Sequence, residues 1–205
     1  MRLLDLTLST PEENLALDET LLLSAEKANN GKASEVLRFW ESSEYFVVLG
    51  LGSKGEQDVH VDFCKDNGIK ILRRISGGGT VLQGKGCLNY SLVLSYESNP
   101  AYRSISGSYK AILEKICTAL STRETKLSFQ GISDIAAGNL KISGNAQARK
   151  KYYFLHHGTI LYDFDISFLK EILKEPVEQP FYRQKRSHEQ FVTNLSYSIR
   201  ALKEK

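Results

Sequence analysis

The sequence predicts an α+β fold with a mixed, largely antiparallel sheet flanked by helices, and three observations predict it. The second half holds three strand-like runs, 126–137, 139–148 and 152–162, whose connections are short enough for hairpins. Crossover helices are few. Long helical periods occur near the N-terminus and at 105–120, so strands and helices do not alternate as repeated βαβ units would require.

Residues 2–8 alternate like a strand. Thr10-Pro11-Glu12-Glu13 is a capping box with proline at the first helical position, so a helix begins there. Leu17, Leu21 and Ala25 form its expected buried stripe, and Asn29-Asn30-Gly31 ends it. Strands follow at 36–40 and 45–50, then a short helix at 57–67 that stops at Gly68. Residues 69–74 return as a strand and enter a glycine loop. Residues 88–96 alternate, with Leu88, Tyr90, Leu92 and Leu94 on one face. The helix at 105–120 buries Tyr109, Ile112, Leu113, Ile116 and Leu120. Hairpin turns fall at Ala137-Gly138-Asn139 and Arg149-Lys150-Lys151. The tail reads as helical at 166–173 and 187–202, with a proline-containing link at 176–180.

The 205 residues suffice for one domain, 1–205, with a real core. A net charge of +3 is too mild to argue for nucleic acid. The basic runs at Arg149-Lys150-Lys151 and Arg183 to Arg186 read as solvated surface, or as a docking face for an acidic protein. Cys64, Cys87 and Cys117 are odd in number, far apart and form no CxxC pair. That fits a reducing compartment and argues against a disulfide scaffold or a zinc site. No signal peptide and no stretch long enough to span a membrane is visible, so a cytoplasmic protein is expected.

Two stretches carry the chemistry. Residues 73–80 read RRISGGGT and residues 141–147 read KISGNAQ. Three glycines let a phosphate approach backbone N–H groups, and the arginines and the lysine supply charge for it. The window from Gly79 to Gly86, GTVLQGKG, nearly spells a P-loop, but Gly86 stands where Ser or Thr is needed and a strand follows instead of a helix. GLGSKG, from Gly50 to Gly55, has dinucleotide spacing, yet a strand-to-loop turn is the favoured reading.

The order RRISGGGT, GCLNYS, SDIAAGNLKISGNAQ, HHGTILYDFD resembles the lipoate–protein ligase A family, over about residues 36 to 195. The resemblance implies a fold like the biotin/lipoate ligase catalytic domain. It also implies a reaction: lipoate is activated with ATP and Mg2+ to lipoyl-adenylate, and the lipoyl group then passes to a lysine of a lipoyl-carrier domain protein. Lys141 matches the family lysine that contacts phosphate and acyl carbonyl. Arg74 and Ser76 match positions lining the lipoyl chain and adenylate, and Gly77, Gly78 and Gly79 shape the backbone wall. Asp134 matches the acid of the family's Asn-Asp pair, and His157 the second histidine of its His-His-Gly-Thr segment. Asn89 either bonds to the glycine loop or is a plain strand residue. Of His156 and His157, strand alternation sends one to each face.

The chain departs from the family in three places. Ser133 stands for the asparagine of the pair. Seven residues after the lysine, where an arginine often sits, this chain has Ala148, with Arg149 next door on the expected opposite face. No C-terminal accessory domain follows, which implies either a separate accessory chain for adenylation or a protein that only transfers. The rival readings are an octanoyl or lipoyl transferase working through a Cys87 thioester, and a non-catalytic dinucleotide- or carrier-binding domain.

Overall fold

A computed structural model describes residues 1–28 and 35–204 of the chain, so the expected helix stop at Asn29-Asn30-Gly31 lies outside the described residues. Along the chain run β1 (Arg2–Asp5), α1 (Pro11–Lys27), β2 (Val36–Trp40), β3 (Phe46–Leu49), α2 (Gly55–Asp58), α3 (Val61–Asp66), β4 (Lys70–Arg73), β5 (Val81–Gln83) and β6 (Cys87–Ser95). Then come α4 (Ile105–Leu120), β7 (Leu127–Gln130), β8 (Asp134–Ala137), β9 (Leu140–Arg149), β10 (Tyr153–Leu161), α5 (Phe168–Ile172), α6 (His188–Phe191) and α7 (Ile199–Lys203). Single 3-10 turns occupy Pro100–Arg103 and Phe181–Arg183.

A seven-stranded sheet has the order β1-β2-β6-β10-β9-β8-β7, antiparallel except for the β1–β2 pair. A three-stranded sheet, β4-β3-β5, holds β3 and β4 parallel and β3 and β5 antiparallel. The mixed, largely antiparallel α+β architecture expected from the sequence is the one observed. α4 covers one face of the large sheet: Leu88 and Tyr90 of β6, Ile135, Ile142 and Ile160 pack against its Tyr109, Leu113, Cys117 and Leu120. The opposite face meets α1 through Leu22 and Ala25, which pack on Val93, Ala148 and Leu155. The small sheet lies on this second face as well, where Val47, Leu49 and Leu82 share a cluster with Cys87 and Phe164.

Several elements differ from the sequence reading, each for a physical reason. The capping box at Thr10 and Glu13 forms as expected. The buried face of α1 is not the Leu17 and Leu21 stripe, however: it consists of Pro11, Asn14, Asp18, Leu22 and Ala25. Two polar residues lie in it because Arg38, wholly buried in β2, needs partners there. Its guanidinium pairs with Asp18 Oδ1 at 2.6 Å and donates to Asn14 Oδ1 at 2.6 Å and to the Leu6 carbonyl at 3.0 Å. Asp18 Oδ2 accepts from Trp40 Nε1 at 3.2 Å and from Ser91 Oγ at 2.6 Å. β1 ends at Asp5 rather than at residue 8.

The expected helix at 57–67 is two short helices. It breaks because Val59 bridges to Leu173 and the His60 N–H is taken by the Ile172 carbonyl. β5 went unread because its three residues sit beside the glycine run. The run 126–137 splits at Gly131, which has φ +58. The helix expected at 187–202 gives way to α6 and α7, because Val192 bridges to Lys141 and the Thr193 N–H bonds to the Lys141 carbonyl. Both tail residues are β-branched, and an extended pairing wins over helix there.

Candidate functional site

The glycine loop is built by the two arginines that precede it. Arg73 Nη1 donates to the carbonyls of Gly50, Leu51 and Ser53 at 2.7, 3.1 and 2.9 Å. Arg74 donates through Nη2 to the Gly77 and Gly79 carbonyls at 2.7 and 2.8 Å, through Nη1 to the Val48 carbonyl at 3.3 Å, and through Nε to Ser76 Oγ at 2.9 Å. Both guanidiniums therefore hold loop carbonyls, and their charge sits behind the loop. Burial lowers the Arg74 pKa to about 10, and at neutral pH the group remains a cation. Gly50 and Gly78 are where the two turns cross. A Cβ on Gly50 would stand 1.9 Å from the Gly78 carbonyl oxygen, and Gly78 itself has φ +88, which only glycine adopts without strain. The glycines of GLGSKG thus serve a turn, as the sequence favoured.

Ser76, buried beneath the loop, joins it to the large sheet. Its Oγ lies 2.6 Å from His157 Nε2. Ser76 Oγ accepts from Arg74 Nε and makes its second side-chain hydrogen bond with Nε2. Burial first, then the Arg74 guanidinium, push the His157 pKa down to about 3; burial, then His157, does the same to His156. The two histidines face opposite ways, as alternation requires. His156 lies among Tyr90, Tyr109 and Gln147 on the α4 side, and His157 meets the loop.

This pair makes the fold acid-sensitive. In the unfolded chain each imidazole takes a proton near its ordinary value of 6.5, while in the fold it does so only near 3. Between those values the unfolded state binds more protons, so stability rises with pH. The urea midpoint is expected to fall as pH is lowered from 7 to 5. A midpoint that stays level over that range would contradict two neutral imidazoles, His156 buried and His157 half-buried.

Lys141 lies on β9, with its Nζ 2.8 Å from Asp134 Oδ1 on β8. Gly144 leaves room for the amine, since a Cβ there would stand 3.0 Å from Nζ. Which way Lys141 faces is set by a bulge. Ser143 pairs with Ile135 and Lys141 with Ala136, so the register shifts and Ile142 is the extra residue. Ser91, His157 and Ala146 stand side by side on β6, β10 and β9, and Gly144 and Asp134 continue that face. Simple alternation from Ala146 would send Lys141 to the α4 side; the bulge returns it to the face of His157. A Cβ on Gly78 would lie 3.9 Å from Ala146 Cβ, so the glycine loop covers this same face.

Two clusters therefore share one side of the sheet. Arg74, Ser76, Gly77, Gly78, Gly79 and His157 form the first, and Lys141 with Asp134 forms the second. Gly144 and Ala146 lie between them, with five residue steps, roughly 15 Å of strand, from Ala146 to Lys141. Asn89 shares the face but does not reach the glycine loop: its Nδ2 lies 3.4 Å from the Cys87 carbonyl. A cleft of about 220 Å3 between α1 and β4 reaches Arg74 and Ile75 and is lined also by Leu15 and Leu72; neither Lys141 nor His157 lines it.

Three supporting residues escaped the sequence reading. Asn145 accepts from the Tyr90 hydroxyl and donates to the Ser133 carbonyl at 2.7 Å, which fixes the start of β8; only its place inside ISGNAQ hinted at it. Tyr182 donates to Asp134 Oδ2 at 2.8 Å, and Thr193 holds the Lys141 carbonyl. Both come from a tail whose sequence carried no signal. Arg149 faces the α4 side, bonded to Gln147 and to the Tyr102 carbonyl, and does not replace a cation at Ala148.

Cys87 is fully buried, and burial pushes its pKa up to about 12. Burial also raises the thiols of Cys64 and of Cys117, the latter to about 11. Both oxygens of Asp134 are engaged, and no three His, Cys, Asp or Glu among the described residues are grouped to hold a metal. These residues therefore do not fit a resident magnesium. Among the described residues, no helix is long and apolar enough to cross a membrane.

Comparison with known proteins adds the following. Residues 10–203 match the family model of the lipoyl protein ligase A/B catalytic domain. The chain is 30% identical over 181 residues to octanoyltransferase LipM of Clostridioides difficile, covering 78% of this chain and 65% of that protein. It is 28% identical over 167 residues to lipoate–protein ligase 1 of Staphylococcus aureus, covering 82% and 48%. Identity to lipoate-protein ligase A subunit 1 of Thermoplasma acidophilum is 30% over 200 residues, covering 93% and 74%. The chain thus spans from about half to three quarters of these relatives. Among solved structures, the bi-partite lipoate protein ligase with its E2 lipoyl domain from T. acidophilum superposes with a TM-score of 0.82 at 27% identity, covering 99% of this chain and 79% of that one. A lipoate-protein ligase A bound with ATP gives 0.81 at 27%, covering 99% and 81%.

Proposed function

The chain belongs to the lipoyl protein ligase A/B catalytic domain family, and from that premise we propose that it is an ATP-dependent ligase. It makes lipoyl-adenylate and passes the lipoyl group to a lysine of a lipoyl carrier domain. In the first step a lipoate carboxylate oxygen bonds to the α-phosphorus of ATP and pyrophosphate leaves. In the second, the carrier's neutral ε-amine attacks the acyl carbon, the acyl–phosphate bond breaks, AMP leaves, and the proton of the new amide nitrogen passes to solvent. The backbone N–H groups of Gly77 to Gly79 face the phosphate, with the cations of Arg73 and Arg74 behind them. Lys141 polarises the acyl carbonyl while Asp134 holds its amine, and neutral His157 anchors the loop through Ser76. Magnesium would be supplied with the nucleotide, where it would offset phosphate charge, and no residue of this chain is assigned to hold it.

One observation carries the reading: the bulge at Ile142 brings the Lys141 amine to the same sheet face as the glycine loop. The buried, protonated thiols favour adenylate over thioester activation, because a thioester needs a thiolate within reach of its donor. Likeness to one subunit of a bi-partite ligase supports a second part of the reading, that adenylation is completed with a separate accessory chain.

The test supplies the pure chain with carrier domain, ATP, Mg2+ and lipoate, and in parallel with synthetic lipoyl-adenylate. Transfer from the adenylate is expected in both wild type and Cys87→Ser, at comparable rates, and pyrophosphate release by the chain alone is expected to be slow. Full-rate release would remove the need for a second chain. An acyl-thioester on Cys87 in the mass spectrum, or ATP-independent octanoyl transfer lost in Cys87→Ser, would make the protein a transferase.

A further inference from the structure

We propose that Tyr182 is a positioning residue for Lys141, acting through Asp134; the inference rests on Lys141 being the amine that polarises the acyl carbonyl. A carboxylate beside an ammonium can offer it either oxygen, and a second free oxygen would compete for the same amine. Here Asp134 gives Oδ1 to Lys141 at 2.8 Å and Oδ2 to the Tyr182 hydroxyl at 2.8 Å. The phenol draws charge from the carboxylate and occupies its second oxygen. Lys141 is thereby held by one contact and can turn toward a substrate carbonyl.

The surroundings of Tyr182 are built to hold it there. Its ring packs on Phe191 at 5.0 Å, and the Arg183 and Arg186 guanidiniums lie over the Phe191 ring. Arg186 Nη2 donates to the Asn139 carbonyl at 2.8 Å, in the turn between β8 and β9. Directly after the 3-10 turn at Phe181–Arg183, Gln184 and Lys185 adopt φ 53 and φ 59, left-handed conformations that cost energy for residues with a Cβ. The backbone keeps that strain, and the tail returns to bond the Lys141 carbonyl through Thr193. One segment, 182–193, therefore fixes Lys141 at its main chain and tunes the carboxylate at its tip.

Tyr182→Phe removes the hydroxyl and keeps the ring on Phe191. With lipoyl-adenylate as donor, kcat for carrier acylation is expected to fall about tenfold with KM unchanged. In an Asp134→Asn background the same substitution is expected to change nothing further. Reductive methylation of Lys141, followed by mass spectrometry, is expected to slow severalfold while exposed Lys170 is unaffected. Equal losses in both backgrounds, or wild-type kcat with unchanged Lys141 labelling, would overturn the inference. If wild type acylates no carrier, the ligase reading fails, and the labelling rates still decide the role of Tyr182.

Discussion

Lys141→Ala is expected to lower acyl transfer from lipoyl-adenylate to the carrier by about 10²–10³-fold, the usual effect of removing one charge aimed at a developing oxyanion. The side chain is 28% exposed, its cross-strand neighbour is Ala136, and Gly144 beside it on β9 carries no side chain to lose contact with it. Its main-chain bond to Thr193 survives the substitution. The melting temperature should therefore stay close to that of wild type while the gel-shift or mass assay of carrier acylation collapses. A variant that acylates the carrier at the normal rate would remove Lys141 from the chemistry. The Lys141→Arg variant keeps the charge, but its planar fork matches Asp134 in a two-oxygen pair, so it should restore little.

Arg38→Ala carries the largest expected effect on stability, a loss of about 3–5 kcal/mol in urea unfolding. Arg38 has no exposed surface and Asp18 only 3%. Deleting the cation leaves Asp18 buried with only Trp40 and Ser91 as donors, leaves the Leu6 carbonyl without its guanidinium donor, and leaves Asn14 Oδ1 with the Leu8 N–H alone. The double variant Arg38→Ala, Asp18→Ala should lose less than the sum of the single losses, since the uncompensated charge is gone. By contrast, the Lys70–Glu12 pair at 3.2 Å lies 40% and 47% exposed, and Lys70→Ala should leave the urea midpoint close to that of wild type. The network lies close to the site, because Ser91 stands beside His157 in the sheet.

What the sequence disclosed follows the range of the forces involved. The capping box of α1, the apolar face of α4, the alternation of β6 and the glycine turn at Gly138 are local signals, and each appears in the structure. The same holds for the glycine loop and for the split of His156 and His157 between faces. Where a distant partner decides, the pattern misleads. Asn14 and Asp18 look like solvated helix positions until Arg38, 20 residues on from Asp18, is buried against them. The tail from 187 reads as helix until β9 offers Val192 and Thr193 an extended partner. Arg74 reads as a phosphate ligand, yet its N–H groups are matched to loop carbonyls that only folding brings together.

The bulge at Ile142 makes the parity of residue counting informative. In an unbroken strand, residues an odd number apart never share a face. Lys141 and Ala148 are seven apart and still lie on the same side of the sheet, because one residue between them is not counted by the ladder. An odd interval between two positions of one site is thus the trace that a bulge leaves in a linear sequence. Deleting Ile142 would remove the bulge and leave an even interval, so the amine would keep its face, whereas deleting or inserting one laddered residue between Lys141 and Ala146 would turn the amine through the sheet. Strand length between the lysine and the loop is fixed in parity before it is fixed in ångströms.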